Sequence, residues 1–296
     1  MTAASRYTSP SAFRRALTDR LAARARESRW TLQQLQRQVA YDRLLDRLYL
    51  VDDGWVVKGA VALLAREISV RATLDIDVYR DASTHVALAD LRRAAALDLG
   101  DWFVFELGGS TSVNGKAIRM PVRALIGTTT WVDFSVDLVG SDLHMTGQPE
   151  DVPPLARGTI PDVEQRPYKA YPLADHVADK VAATYERHSE QSIPSTRFRD
   201  LVDLVAIALV VTMDADPLID ALRSEFARRE LQMPESFDVP DRRLWGSGYS
   251  REARASLLGT ATTVDDALAI VRPFLDPALS GTAGGTWDPG RLTWRT

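Results

Sequence analysis

The sequence predicts an α/β or α+β fold: a mixed sheet with helices on at least one side, followed by a mainly helical C-terminal half. Three observations predict it. The segments RATLDIDV and TTWVDFSVDLVG alternate apolar and polar residues with the two-residue period of strands. The segments TLQQLQRQVAYDRLLDRLYL and THVALADLRRAAALD carry apolar residues at helical spacing. Beyond the proline-rich connector QPEDVPPLARGTIPDVEQRPYKAYPLA, the strongest patterns are helical. The division falls near residue 150, giving an α/β domain over 1–150 that includes the N-terminal helices and a helical domain over 151–296.

In chain order, residues 11–28 and 31–50 read as helices, the second with Leu32, Leu35, Val39, Leu44, Leu45 and Leu48 on its apolar stripe. The turn VDDGWVV leads to a short buried helix over 58–68, because AVALLA is apolar and lacks Pro and Gly. The next strand, over 71–79, puts Arg71, Thr73, Asp75 and Asp77 on one face and Ala72, Leu74, Ile76 and Val78 in the core. A helix over 84–98, strands over 102–107 and 118–126 around the turn GGSTSVNGK, and a strand over 129–140 follow. On the last of these, Asp133, Ser135 and Asp137 share a face opposite Val132, Phe134, Val136 and Leu138. A strand is expected at the end of the connector; helices follow over 174–188, 196–213, 216–230 and 263–275, with a less regular stretch before the last and an extended tail rich in Gly and Thr.

Composition narrows the chemistry. The chain has no cysteine, which excludes disulfides, thiolate metal sites and cysteine nucleophiles. No apolar run reaches transmembrane length and the N-terminus lacks a secretory apolar segment, so a cytoplasmic protein without a membrane partner is expected. The net charge of −4 hides an asymmetry: residues 1–50 hold ten arginines against four acids. A basic face and an ordinary solvated helix surface both account for it.

The chemistry concentrates in Lys58 to Tyr79. Asp75 and Asp77 on one strand face repel each other, and a hard divalent cation relieves that repulsion while leaving positions for phosphate oxygens. Taken alone, a DxD strand is more often surface alternation than a site. Here it follows Lys58 and Gly59, whose segment can meet phosphate, and it precedes a second acidic strand with Asp133 and Asp137 as alternative third carboxylates. Thr73 can add a hydroxyl and Arg71 a cation. In the helical half, Lys180 precedes Arg199, Asp200 and Asp203, and the i, i+3 spacing sets the two acids on nearly one face. The bland alternative makes Lys180 a solvated cation beside Asp179 and pairs Arg199 with Asp203 on a helix surface.

The ordered set AYDRLLDRLYL, VVKGAVALL, DIDV, DFSVD, YPLADHVADKVAATYER and STRFRDLVDLV resembles the AbiEii/MenT-type nucleotidyltransferase toxins of type IV toxin–antitoxin systems, over roughly residues 13–220. The resemblance implies a polymerase β-like nucleotidyltransferase fold whose catalytic domain is 1–150. It implies Asp75 and Asp77 as metal ligands with Asp133 as the candidate third carboxylate, Thr73 on the triphosphate, Lys180 on the nucleotide, and Asp200 or Asp203 as the contribution of the RDLVD helix. It further implies Mg2+ or Mn2+, a nucleoside triphosphate with CTP or UTP favoured, the acceptor end of tRNA as target, a separately encoded antitoxin, and a monomer. One departure is Gly59-Ala60 where the wider superfamily has Gly-Ser, which removes a hydroxyl from the phosphate contacts.

Overall fold

The computed structural model describes residues 7–113, 117–139, 143–159, 163–188 and 193–296. Arg6, the 114–116 part of the expected turn, Gly140, residues 160–162 of the connector and 189–192 of the expected interhelical linker lie outside the described residues. The chain divides into two units. One comprises residues 1–66, 73–143 and 150–170, the other 67–72, 144–149 and 171–296.

The first unit contains helices α1 (Pro10–Glu27), α2 (Leu32–Val51), α3 (Gly59–Ala65) and α4 (Thr84–Ala95). Its strands are β1 (Trp55–Lys58), β2 (Asp75–Arg80), β3 (Phe103–Leu107), β4 (Thr111–Val113), β5 (Ala117–Ile126), β6 (Thr129–Val139), β7 (Glu150–Val152) and β8 (Tyr168–Ala170). They form one sheet in the order β3-β5-β6-β2-β1-β8-β7, with β4 beside β5. The sheet is mixed: β2 runs parallel to β6 and β1 to β8, and the other pairs are antiparallel. One face of the sheet supplies Val57, Ile76, Val78, Met120, Val122, Phe134, Val136 and Leu138 to a core shared with α1, α2 and α4. The strand alternation requires the residues between these to point the other way, and that opposite face carries the acids.

Helix α2 starts at a capping box, in which Thr31 accepts from the Gln34 amide and the Gln34 side chain accepts from that of Thr31. Its far half is buried on the polar side as well. Arg43 and Arg47 both reach Asp101, at 2.6 and 2.7 Å, and Arg43 also holds Asp46. Asp42 accepts from the Leu155 and Ala156 amides and from Tyr168. Arg43 and Arg47 are therefore internal struts, and the exposed N-terminal arginines are reduced to Arg15, Arg26 and Arg29 among the described residues.

The strand bearing Asp75 and Asp77 begins later than its alternation implies. It starts at Asp75, and ahead of it the sides are reversed: Thr73 is buried and Leu74 is 65% exposed. The paired register begins at Asp75; the Ser135 amide of β6 still donates to the Leu74 carbonyl, but among the described residues Thr73 has no register partner to impose the pleat. Arg71 stands apart from this strand and belongs to the second unit.

The second unit is helical. It holds α5 (Leu173–Tyr185), the short pair β9 (Arg187–His188) and β10 (Ile193–Pro194), α6 (Phe198–Val210), β11 (Met213–Asp214), α7 (Ala215–Arg228), α8 (Arg242–Ala255), α9 (Val264–Leu279), and the hairpin β12 (Thr286–Asp288) and β13 (Thr293–Arg295). The extended tail thus forms two strands that join β11. Helix α8 falls in the stretch expected to be less regular. Gly246 and Gly248 lower its intrinsic propensity by roughly 1 kcal/mol each, but packing overrides this. Trp245 is fully buried with its ring edge-on to Phe198 at 5.2 Å, and the Phe198 ring fills the place a side chain at 248 would need. No described helix is long and apolar enough to cross a membrane.

Candidate active site

The register of four adjacent strands builds a charged row on the open face of the first sheet. Antiparallel pairing sets Lys58 of β1 opposite Asp77 of β2, and parallel pairing sets Asp77 opposite Asp137 of β6. Antiparallel pairing then sets Asp137 opposite Arg119 of β5. Neighbouring strands lie about 4.8 Å apart, so the four side chains stand in one line with the order cation, acid, acid, cation. Asp75 stands two residues back on the same face, opposite Ser135.

Hydrogen bonds order this row. Arg119 grips Asp137 with both arms of its guanidinium, at 2.8 and 2.6 Å, and its Nη2 lies 3.9 Å from Asp75. The hydrogen bonds that Arg119 donates to Asp137 and the surrounding negative charge hold the Arg119 proton more firmly than usual. The Thr73 hydroxyl donates to the Asp75 carboxylate, and the Tyr41 phenol donates to the Thr73 carbonyl at 3.1 Å. Burial, opposed by Arg37 and aided by Asp75 and Asp77, pushes the Tyr41 phenol upward, so it remains a donor.

Gly59 brings the backbone against Asp77. It has φ of 58°, in the left-handed region, and a Cβ there would overlap the Asp77 carboxylate. Gly59→Ala is therefore expected to destabilise the protein by about 1–2 kcal/mol through backbone strain and to displace the acid. Thermal unfolding and a transfer assay on the same preparation check this. Unchanged values of both would show that the close approach is unimportant.

Asp133, by contrast, faces Arg123 at 3.0 Å on the exposed surface, four residues along β6 from Asp137. Such a pair is worth under ~1 kcal/mol. Among the described residues no three acids or histidines stand close enough to hold a metal ion. The donor chemistry still fits a hard cation. Asp75 and Asp77 offer carboxylate oxygens from one face, and Mg2+ needs one or two carboxylates when phosphate supplies the rest.

A second cluster lies within the helical unit. Lys180 of α5 donates to Asp200 at 2.8 Å and to Asp203 at 2.7 Å, both on α6. Arg71 forks onto Asp203 at 2.9 and 2.8 Å, and Arg197 adds a bond to Asp200 at 3.0 Å. Burial opposes the Lys180 charge, but Asp200 and Asp203 outweigh it and the net shift is upward. Burial likewise opposes Asp203 ionisation, yet Lys180 and Arg71 bring its value down to about 2. Lys180 and Asp203 are therefore both charged at neutral pH. The bland surface reading fails here, since Lys180 is 4% and Asp203 1% exposed. Arg199 pairs with Glu252 at 2.8 Å and stays outside the cluster.

The structure thus assembles Lys58, Gly59, Thr73, Asp75 and Asp77 in one group and Arg71, Lys180, Asp200 and Asp203 in another, with Asp133 and Arg199 apart from both. Arg119, Tyr41 and Arg197 were not foreseen. The signal for Arg119 is its parity in IRMPVRALI, which becomes readable once Gly127-Thr128 is recognised as the two-residue turn that sets β5 against β6.

A mixed sheet that carries a charged row of acids and cations, in a chain that also holds a helical unit, fits a nucleotidyltransferase fold, and the comparisons agree. The family model described as "Nucleotidyl transferase AbiEii toxin, Type IV TA system" matches residues 43–270. The chain belongs to this family of nucleotidyltransferase toxins of type IV toxin–antitoxin systems. Among solved structures it is similar to MenT4, a nucleotidyltransferase toxin from Mycobacterium tuberculosis H37Rv, with a TM-score of 0.52 at 15% identity, covering 86% of this chain and 99% of that one. It is also similar to JHP933 from Helicobacter pylori, with a TM-score of 0.46 at 14% identity, covering 83% of this chain and 92% of that one. No curated protein sequence matches the chain. Membership of a type IV system implies a separate antitoxin.

Proposed function

We propose that the chain transfers a nucleoside monophosphate from a pyrimidine nucleoside triphosphate to the 3′ CCA end of tRNA, in a metal-dependent reaction that blocks aminoacylation. The single observation that carries the chemistry is the row Lys58, Asp77, Asp137, Arg119, in a chain of this toxin family. The 3′ hydroxyl oxygen bonds to the α-phosphorus, the bond to the β-phosphate breaks, and pyrophosphate leaves. A bound divalent ion supplies charge neutralisation at the α-phosphate and acidifies the attacking hydroxyl.

Asp75 and Asp77 would hold that ion. Asp137, in register with Asp77, is a better third carboxylate than Asp133, which is displaced along the strand and engaged by Arg123. Thr73 fixes the Asp75 carboxylate, and Tyr41 fixes the Thr73 backbone. Lys58, at the end of the row, is the candidate cation for the triphosphate. Lys180, oriented by Asp200 and Asp203, is the candidate nucleotide contact of the helical unit.

Total tRNA incubated with each α-labelled triphosphate in turn, followed by sequencing of the 3′ ends, tests the proposal. CTP or UTP should label RNA beyond CCA. Label that resists RNase would reassign the acceptor to a protein or small molecule. The exposed Arg15, Arg26 and Arg29 are candidate contacts for tRNA phosphates. If they serve so, tRNA binding should fall steeply with salt, and Arg15→Ala should reduce the slope of log affinity against log salt by about 1.

A further inference from the structure

Arg119 occupies the electrostatic position that a metal ion would be expected to fill. Its guanidinium takes both carboxylate oxygens of Asp137, at 2.8 and 2.6 Å, and leans toward Asp75 at 3.9 Å. Asp137 is the strand neighbour of Asp77, so the carboxylate Arg119 has captured is the one the register places beside the DxD pair. Among the described residues these acids form no cluster ready to hold a metal ion, and Arg119 is the group paired with Asp137. Planar two-point pairing uses the carboxylate edge that a cation would take, and a guanidinium beside a divalent ion adds repulsion. The Arg119 side chain is 46% exposed, so it can leave without repacking the core.

We propose that Arg119 and a divalent cation compete for Asp137, so that Arg119 acts as an internal counter-ion holding the acidic row until metal arrives. This rests on the metal-dependent reading of the site. Two consequences follow from the chemistry. Metal binding pays the cost of separating Arg119 from Asp137, so affinity for metal alone is weaker than the three acids would otherwise give. Once released, the guanidinium presents donors suited to phosphate oxygens, so a triphosphate that engages Arg119 assists metal binding.

The test is a Mn2+ titration of the full chain without nucleotide, by calorimetry or electron paramagnetic resonance. Arg119→Ala should tighten Mn2+ binding by about tenfold, the size expected for releasing one charge-assisted pair. Arg119→Lys, which keeps the charge but loses the two-point grip, should fall between that variant and wild type. The gain should vanish in Arg119→Ala/Asp137→Asn, and this double-mutant cycle separates direct competition from a general loss of positive charge. Equal affinity in wild type and Arg119→Ala, with binding lost in Asp75→Asn, would overturn the competition and leave the metal reading standing. A gain that persists in the double variant would overturn it too. Absence of Mn2+ binding from every variant would remove the metal reading and this proposal with it. Thermal unfolding of each variant without metal verifies that the proteins compared are folded.

Discussion

Asp77→Asn is expected to abolish nucleotide transfer while leaving a folded protein. The expected loss in kcat/KM is at least about a thousandfold, which corresponds to about 4 kcal/mol of transition-state stabilisation. Asp77 lies at the centre of the row, between Lys58 and Asp137 in register and against the Gly59 backbone, so its carboxylate has neighbours that fix its position from three sides. Asparagine keeps the shape and a carbonyl oxygen but removes the charge that would hold a cation. Stability should change by less than ~1 kcal/mol, because the substitution also relieves repulsion from Asp75 and Asp137. The informative comparison is with two other acids. Asp137→Asn should cost nearly as much as Asp77→Asn, whereas Asp133→Asn should cost less than tenfold, since Asp133 is exposed and engaged with Arg123. Label transfer to tRNA and growth inhibition on expression measure the effect. Retained transfer in Asp77→Asn would remove the pair from the mechanism, and a larger loss in Asp133→Asn than in Asp137→Asn would reverse the choice of third carboxylate.

Much of this site was legible because strand alternation is a local property. The parity of DFSVD identifies Asp133 and Asp137 as same-face acids without any knowledge of the sheet. Choosing between them needs the register of β2 against β6, which is a parallel pairing between segments some sixty residues apart and leaves no trace in either one alone. Arg119 is nearer to hand, because its register with Asp137 follows from the two-residue turn between β5 and β6. Alternation also misleads at its ends: Thr73 and Leu74 continue the pattern of β2, but the paired register begins only at Asp75, and Thr73 is held by Tyr41 and by Asp75 instead. In the helical unit the spacing of Asp200 and Asp203 gives their shared face, while an apolar helix sequence such as FRDLVDLVAIALV cannot say whether that face meets water or Lys180. Helix α8 shows the converse case, where Gly248, which argues against a helix, is required by the Phe198 ring.

Lys180→Met is expected to destabilise the helical unit by about 3–5 kcal/mol at neutral pH, the usual cost of removing one partner from a buried ion pair. Two buried carboxylates share this ammonium, and each keeps only one arginine once it is gone: Arg71 on Asp203 and Arg197 on Asp200. The pH dependence distinguishes lost charge pairing from lost packing. In the wild type the folded value of Asp203, about 2, lies below its ordinary 3.8, so its stabilising contribution is present above about pH 4 and disappears as pH falls toward about 2. Without Lys180, burial favours the protonated acids, and the variant binds protons more readily when folded than the wild type does. The deficit should therefore be largest near pH 7.5 and shrink at pH 5. Urea unfolding followed by tryptophan fluorescence reports on this unit once Trp55 and the other tryptophans of the first unit are replaced by Phe, because Trp245 and Trp287 are fully buried within it. Adding Asp200→Asn to Lys180→Met should recover part of the loss by removing one of the two stranded charges. A deficit independent of pH, with no recovery in the double variant, would mean that Lys180 contributes through its aliphatic stem and that the charged cluster is not what holds α5 to α6.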